Sequence, residues 1–356
     1  MKKVAKIIGI ILLVLLVVVA GYVIYVFASF TRQPDNLELA VVQDAEPTAA
    51  DGQTYTLVSW NLGFGAYSDD FTFFMDGGTE SRARSAEAAR ENISAMLDKV
   101  RELDPDFAFL EEIDVDATRT YHVDERAMVL DAMGDYGAVF AQNYDSPYLF
   151  YPITQPHGAS RAGLMTLSKY HIDSALRRSL PIESGVTKVV DLDRCYSITR
   201  IPLDDGKELC LYCAHLSAYT SDGTIADEQI KMLAADLQAD FDAGNYVVCG
   251  GDFNKDLLGD SGALFGVSGE DYTWAQPFPE ALLGDDLSLV APYDADDPVP
   301  SCRNADIPYE KGKSYVVTVD GFIVSSNVTV ERAEVIDTGF RWSDHNPVRL
   351  TFTLGG

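Results

Sequence analysis

From Ile7 to Phe30 the chain runs 24 residues without a charged side chain, most of them Ile, Leu or Val. No other feature restricts its architecture as tightly. As a helix the run would span about 36 Å against a hydrocarbon core of about 30 Å, enough for one crossing with some tilt. It is apolar on every face and terminal, which argues against a core helix, and it exceeds the about 7–15 apolar residues of a cleaved secretory signal. Val26-Phe27-Ala28 offers a weak cleavage site, so a processed form remains the alternative. Lys2, Lys3 and Lys6 precede the run and an acidic segment follows it. The positive-inside rule then keeps residues 1–6 in the cytoplasm, sets 7–30 across the cell membrane as a single pass, and puts everything after Thr31 on the outer side. Residues 31–53, polar with Pro and small side chains, read as a stalk. Residues 54–356 contain no repeat and no second linker, so they read as one large domain.

Charge narrows the partners. The chain holds 27 Lys and Arg against 55 Asp and Glu, a net of −28. Its first 34 residues carry four cations and no acid, so the remainder has 23 cations against 55 acids, a net of −32. Affinity for nucleic acid comes from Lys and Arg neutralising phosphates, so duplex nucleic acid is disfavoured, though not excluded. At 47% hydrophobic and 23% charged residues, disordered and collagen-like classes are excluded. Cys210 and Cys213 form a C-x-x-C inside ELCLYCAHL, which reads as a strand. Residues three apart on a strand face opposite ways, so a zinc site is not expected there. Cys195, Cys249 and Cys302 complete a set whose disulfide state is left open.

Strand-like runs occupy 54–61, 106–113, 161–168, 208–216, 245–254, 315–325, 328–336 and 346–354, bounded by Gly and polar clusters. Ile93, Met96, Leu97, Val100 and Leu103 predict a helix within 80–103, stopped by Asp104-Pro105, and Ile230, Leu233, Ala234, Leu237 and Phe241 predict another, closed by Gly244. Many strands with few helices give an α+β sandwich. Asn61, Glu112, His215, Asp252, Asn254, Asp320, Asp344 and His345 fall inside or just past such strands. One acid closing a strand is an ordinary cap. Eight polar residues from six segments, brought to one sheet edge, would make a carboxylate cluster stable only with a cation or a proton among them. Oxygen donors without thiolates suit hard cations, Mg²⁺ or Mn²⁺ first and Ca²⁺ next.

In chain order VSWNLG, FLEEID, GLMTLSKYHI, CAHLSAY, GGDFN, VDGFIV and SDHNPV resemble the signature segments of the endonuclease/exonuclease/phosphatase superfamily, from about Ser59 to Pro347. GDFN alone is a weak signal; seven segments in order are a strong one. The resemblance implies a four-layer α/β sandwich, two packed β-sheets flanked by helices, and metal-dependent phosphoester cleavage. Residue by residue it implies Glu112, with Asn61 and Asp344, as ligands of Mg²⁺. Glu111 stands where relatives usually carry Gln. Asp252 and Asn254 would orient or deprotonate the attacking water and hold a phosphate oxygen. His345 would touch the scissile phosphate with Asp320 fixing its tautomer, and His215 would stabilise developing charge or protonate the leaving group.

Arg303, ahead of the Asp320 strand, and Arg119 with His122, soon after Glu112, are candidates for substrate contact. His171 and His157 read as bystanders, and the aromatic run DDFTFFM (69–75) reads as ordinary packing before it reads as a lipid- or substrate-facing loop. Together these features predict a divalent-metal-dependent phosphoesterase acting on a lipid headgroup or small phosphoester outside the membrane. An extracellular nuclease is the alternative, followed by a domain that binds without catalysing.

Overall fold

The computed structural model describes residues 2–182, 185, 192–218, 224–269, 272 and 274–355. Helix α1 (Lys2–Ser29) leads, followed by edge strands β1 (Leu37–Glu38) and β2 (Val41–Val42). Then come β3 (Thr54–Asn61), α2 (Ala86–Leu103), β4 (Phe107–Ala117), α3 (Glu125–Ala132), β5 (Gly137–Leu149), β6 (Gly158–Ser168) and β7 (Ser174–Ser179). β8 (Cys195–Pro202), β9 (Glu208–His215), α4 (Thr224–Asp242), β10 (Tyr246–Asp252), α5 (Ser261–Phe265) and β11 (Leu287–Val290) follow. β12 (Cys302–Arg303), β13 (Val316–Val317), β14 (Asp320–Ser325), β15 (Val328–Val335) and β16 (Val348–Leu354) complete the chain.

Two seven-stranded sheets pack face to face, in the orders β1-β7-β8-β9-β10-β14-β11 and β15-β16-β3-β4-β6-β5-β2. Tyr55, Phe107, Phe109, Leu211, Val248, Phe322 and Phe352 fill the space between them. α4 covers the first sheet through Ile230, Leu233 and Leu237, and α2 covers the second through Ile93, Met96 and Val100 against Trp60 and Leu110. This is the four-layer α/β sandwich. α1 is long and apolar enough to cross a membrane, with Val26 its one buried residue.

Each sheet has a parallel pair, β3 with β4 and β9 with β10, and the helix that crosses over between them is α2 or α4. Parallel neighbours need such a crossover, and it leaves the C-terminal ends of both strands at one edge. α2 starts at Ala86 rather than nearer Glu80, because the Ser85 side chain caps it by accepting from Ala88 N at 3.1 Å. Glu80 is held instead by Thr72, whose N donates to it at 2.8 Å. The cysteine reading holds: Cys210 packs under α4, Cys213 lies between the sheets, and all five cysteines are free.

Residues 31–53 differ from a free stalk. β1 pairs with β7 at the edge of one sheet and β2 with β5 at the edge of the other. Arg32 Nε reaches Asp193 Oδ1 at 2.6 Å, and Ala45 and Ala49 are buried. Composition suggested a solvated linker, but short apolar pairs such as Val41-Val42 suffice to close open sheet edges.

Candidate active site

The site forms where strand ends of both sheets meet. In the first sheet His215, Asp252 and Asp320 are register partners across β9, β10 and β14, so three chemically active side chains sit abreast. Gly251 makes this row possible. Its φ is +143°, and a Cβ there would stand 1.9 Å from the Ala214 carbonyl oxygen, a distance no side chain survives. In the second sheet Asn61 pairs with Glu111. The register of β4 against β6 shifts between Leu110 and Ile113, and Glu112 takes a φ of +55°. That irregularity separates two adjacent glutamates. Glu111 turns inward, fully buried, accepting from Ser59 Oγ at 3.0 Å and from Asp252 N at 2.9 Å. Glu112 lines the open cleft.

The loop before β16 supplies the rest. Ser343 Oγ donates to Asn61 O at 2.7 Å, Trp60 Nε1 to His345 O at 2.8 Å, and Arg303 N to Asp344 O at 2.9 Å. These bonds hold Asp344 and His345 against the end of β3. His345 Nδ1 lies 2.8 Å from Asp320 Oδ2, which also accepts from Ser301 Oγ at 2.6 Å. Asp252 Oδ2 is the hub. It accepts from Asn254 Nδ2 at 3.2 Å and Asn61 Nδ2 at 3.3 Å, and His215 Nε2 and His345 Nε2 stand 3.5 and 3.9 Å away. Asn254, at φ +50°, also donates to Leu216 O at 2.9 Å. Left-handed backbone at Glu112 and Asn254 is strain of the kind that clusters at functional sites.

Electrostatics follow from this crowding. Burial pushes the Asp252 carboxyl up to about 7, with Asp320 adding to the rise while His345 opposes it. Burial lifts Asp344 to about 6, helped by the nearby charges of Glu112 and Asp76. Glu111 is driven well above the carboxylate range by burial and by the charges of Asp252 and Asp320. Burial alone would depress His345, but the Asp320 carboxylate overrides it and holds the ring well above its usual value. His215 moves the other way, well below, through burial and the charges of Arg194 and His345. Carboxylates this close, with raised affinity for protons, fit a site that takes a cation.

Among the described residues, two groups of three donor atoms each lie within 4.8 Å of one another, Glu111–His215–Asp252 and Asp252–Asp320–His345. Both oxygens of Glu111 are already bonded, and Asp320 is engaged by His345 and Ser301. Glu112, Asn61 and Asp344 line the cavity, with Asn61 Nδ2 3.5 Å from Glu112 Oε1 and Asn61 Oδ1 accepting from Gly63 N at 3.0 Å. An all-oxygen set of this kind suits Mg²⁺ or Mn²⁺.

All eight strand-end residues except the inward Asp320 line one cavity of about 540 Å³. The three substrate candidates fare differently. Arg303 lines it but donates to Ser68 O and Phe71 O at 2.9 and 3.2 Å, so it braces the loop. Arg119 also lines it, locked in a bidentate pair with buried Asp114 and lying 3.8 Å over the Phe64 ring. His122 is a correction: its exposed side chain pairs with Asp116 at 2.6 Å, outside the cavity, because a left-handed turn at Tyr121 and His122 carries it away. His157 is corrected in the opposite sense. It lines the cavity, its Nδ1 on Ser81 O at 3.0 Å, and burial depresses it to about 3. His171 stays at the surface beside Asp44. Phe73, Phe74 and Met75 line the cavity too, so the 69–75 run is more than packing, although Phe71 is core. Tyr219 of CAHLSAY lies outside the described residues.

Arg194 was not anticipated. It lines the cavity just before β8, nearly buried, and its Nε and Nη1 have no hydrogen-bond partner among the described residues. Buried guanidinium N–H groups without a partner are costly unless an anion completes them. The only sequence signal was an isolated Asp-Arg pair ahead of an unrecognised strand. Cys302, 3.6 Å from His345 Nε2, was likewise missed.

Solved structures with the same fold include an endonuclease/exonuclease/phosphatase protein from Beutenbergia cavernae DSM 12333 (16% identity, TM-score 0.57, 85% of this chain and 72% of that one). ANGEL2, a 2',3'-cyclic phosphatase in complex with adenosine-2',3'-vanadate, aligns at 16% identity and TM-score 0.57 over 91% and 99% of the two chains. The human Nocturnin catalytic domain aligns at 16% identity and TM-score 0.51 over 89% and 97%. At such identities the likeness is one of fold. No curated protein sequence matches. The family model described as Endonuclease/Exonuclease/phosphatase family matches residues 58–345, most of the chain and every strand-end residue of the site, and the chain belongs to that family.

Proposed function

We propose that the chain is a divalent-metal-dependent phosphodiesterase acting on a lipid headgroup or small phosphoester outside the cell membrane. One observation supports the reading most: residues from four separate segments, all of the types needed for phosphoryl transfer to water, converge around one Asp252 oxygen. Family members hydrolyse phosphoesters, and this chain is an enzyme of that class.

Glu112, Asn61 and Asp344 would hold Mg²⁺ or Mn²⁺, which when bound neutralises charge on phosphoryl oxygens. Asp252, with an affinity for protons near neutrality, accepts a proton from the attacking water while Asn254 fixes the carboxylate. His345, held cationic by Asp320, presents Nε2 to a phosphate oxygen. His215 is kept neutral, so it donates an Nε2–H hydrogen bond to developing charge rather than a net proton to the leaving group. Arg194 completes the cradle by pairing with a second phosphate oxygen. Positive-inside orientation of α1 supports an outward catalytic domain, and the net charge of −32 disfavours nucleic acid.

The test is a substrate panel with the full chain in detergent and Mg²⁺, Mn²⁺ or Ca²⁺: choline lipids, phosphoinositides, nucleotides, an aryl phosphodiester and DNA. Metal-dependent cleavage of a lipid or the aryl diester is expected. Cleavage of DNA alone would favour the nuclease reading, and no cleavage of any substrate would return the chain to a binding role.

A further inference from the structure

Tyr22 belongs to α1, yet it lines the same cavity as Asp252 and His345. Its Oη donates to Tyr148 O at 3.1 Å and accepts from Phe150 N at 3.4 Å, while Tyr25 Oη accepts from Tyr148 N at 3.1 Å. The Tyr22 and Phe150 rings meet edge to face at 5.2 Å. From there aromatic contacts continue inward: Tyr151 to Phe74 at 5.7 Å and Phe74 to Phe73 at 4.8 Å. Outside α1, the four most exposed large apolar side chains among the described residues are Ile153 (85%), Tyr151 (69%), Met75 (57%) and Phe150 (55%). Met75, Phe150 and Tyr151 stand at the cavity mouth and Ile153 follows them, in a stretch, Pro147 to Ile153, without a charge.

Depth along α1 fixes where this rim sits. From Lys6 to Tyr22 the helix rises about 24 Å, and the hydrocarbon core is about 30 Å thick. With Lys6 at the inner boundary, Tyr22 lies close inside the outer one, where Tyr belts gather. Residues 148–150, bonded to Tyr22 and Tyr25, are drawn to the same level. A soluble substrate gains nothing from an apolar mouth at that depth; a lipid does.

We propose that the substrate is a lipid phosphoester of no net charge, taken from the outer leaflet through this rim. This rests on the phosphodiesterase reading above. Its acyl portion lies along Phe150, Tyr151 and Phe74 while its phosphate reaches Asp252 and His345. The water oxygen bonds to phosphorus as one ester P–O bond breaks. The water's proton passes to Asp252 and the leaving alkoxide takes a proton from solvent, giving an alcohol and a phosphate monoester. Net neutrality of the headgroup follows from the −32 charge beyond the helix, which repels anionic lipid.

The experiment uses the full chain reconstituted in dioleoylphosphatidylcholine and sphingomyelin vesicles containing a nitroxide-labelled lipid. All five native cysteines are buried, so an environment-sensitive fluorophore can be confined to Ile153→Cys or, as control, to Asp205→Cys at the far end of β8. The account expects quenching at 153 and none at 205, with release of water-soluble choline products in Mg²⁺ or Mn²⁺. A probe at 153 as unquenched as the one at 205 overturns the membrane-seated rim. Quenching with hydrolysis of only a soluble aryl phosphodiester overturns the lipid substrate and leaves the phosphodiesterase standing. Failure to hydrolyse either substrate overturns the phosphodiesterase reading itself.

Discussion

His345 has one nitrogen committed to Asp320, and that bond leaves Nε2 as the nitrogen for the proposed contact with substrate. In Asp320→Asn an amide N–H can point at Nδ1, reverse the tautomer and remove the charge that keeps the ring cationic. Turnover should fall about 10³-fold with thermal stability little changed; a loss below tenfold would remove His345 from the chemistry. Asp252 and Asp344 carry a sign that can be checked. Their affinities lie at about 7 and about 6 against an ordinary 3.8, so between those values the metal-free folded chain binds more protons than the unfolded chain. Its stability therefore falls as pH rises through that window. Ligands must shed protons to hold a cation, so the rise in Tm caused by Mn²⁺ should be larger above pH 7 than below pH 6. An equal rise at both would show that these carboxyls do not take part. Arg194→Ala should raise KM for phosphodiesters and leave Tm unchanged or higher, since its buried Nε and Nη1 have no partner among the described residues.

Elements that could be read in advance were those whose pattern is local. The Ile93 and Ile230 helix faces lie where spacing put them, and the strand carrying GGDFN ends where its polar cluster begins. β5, β7 and β8 were missed: β5 and β7 mix polar and apolar residues at sheet margins, and β8 breaks its apolar run with Ser, Thr and Arg. The bulge that aims Glu112 outward and Glu111 inward depends on pairing with β6, which no local pattern specifies. The strap of residues 31–53 was missed for the same reason, since its partners lie over 90 residues away. It is anchored through Asp193, which receives Arg32, Gln33 N and fully buried Arg177. Asp193→Ala strands the Arg177 charge and should cost about 3–5 kcal/mol, read as a lower urea midpoint. An unchanged midpoint would show that the strap is not held there.

For the molecule as a whole, the site is a seam between two sheets and a mouth beside a helix. The seam was legible because its residues close strands; the mouth was not, because Tyr22 and Phe150 meet only in three dimensions, 128 residues apart. Net charge supports the proposed partner class, since −32 beyond the helix repels polyanions more than neutral phosphoesters. Everything in the proposed mechanism depends on the proposal that Glu112, Asn61 and Asp344 hold a divalent cation. The most direct test is a metal-activation curve for aryl phosphodiester hydrolysis by the full chain, beside Glu112→Gln. The account predicts silence in chelator, recovery with Mg²⁺ or Mn²⁺, and a midpoint shifted at least about tenfold in the variant. Activity indifferent to chelator, or superimposable curves, would contradict it.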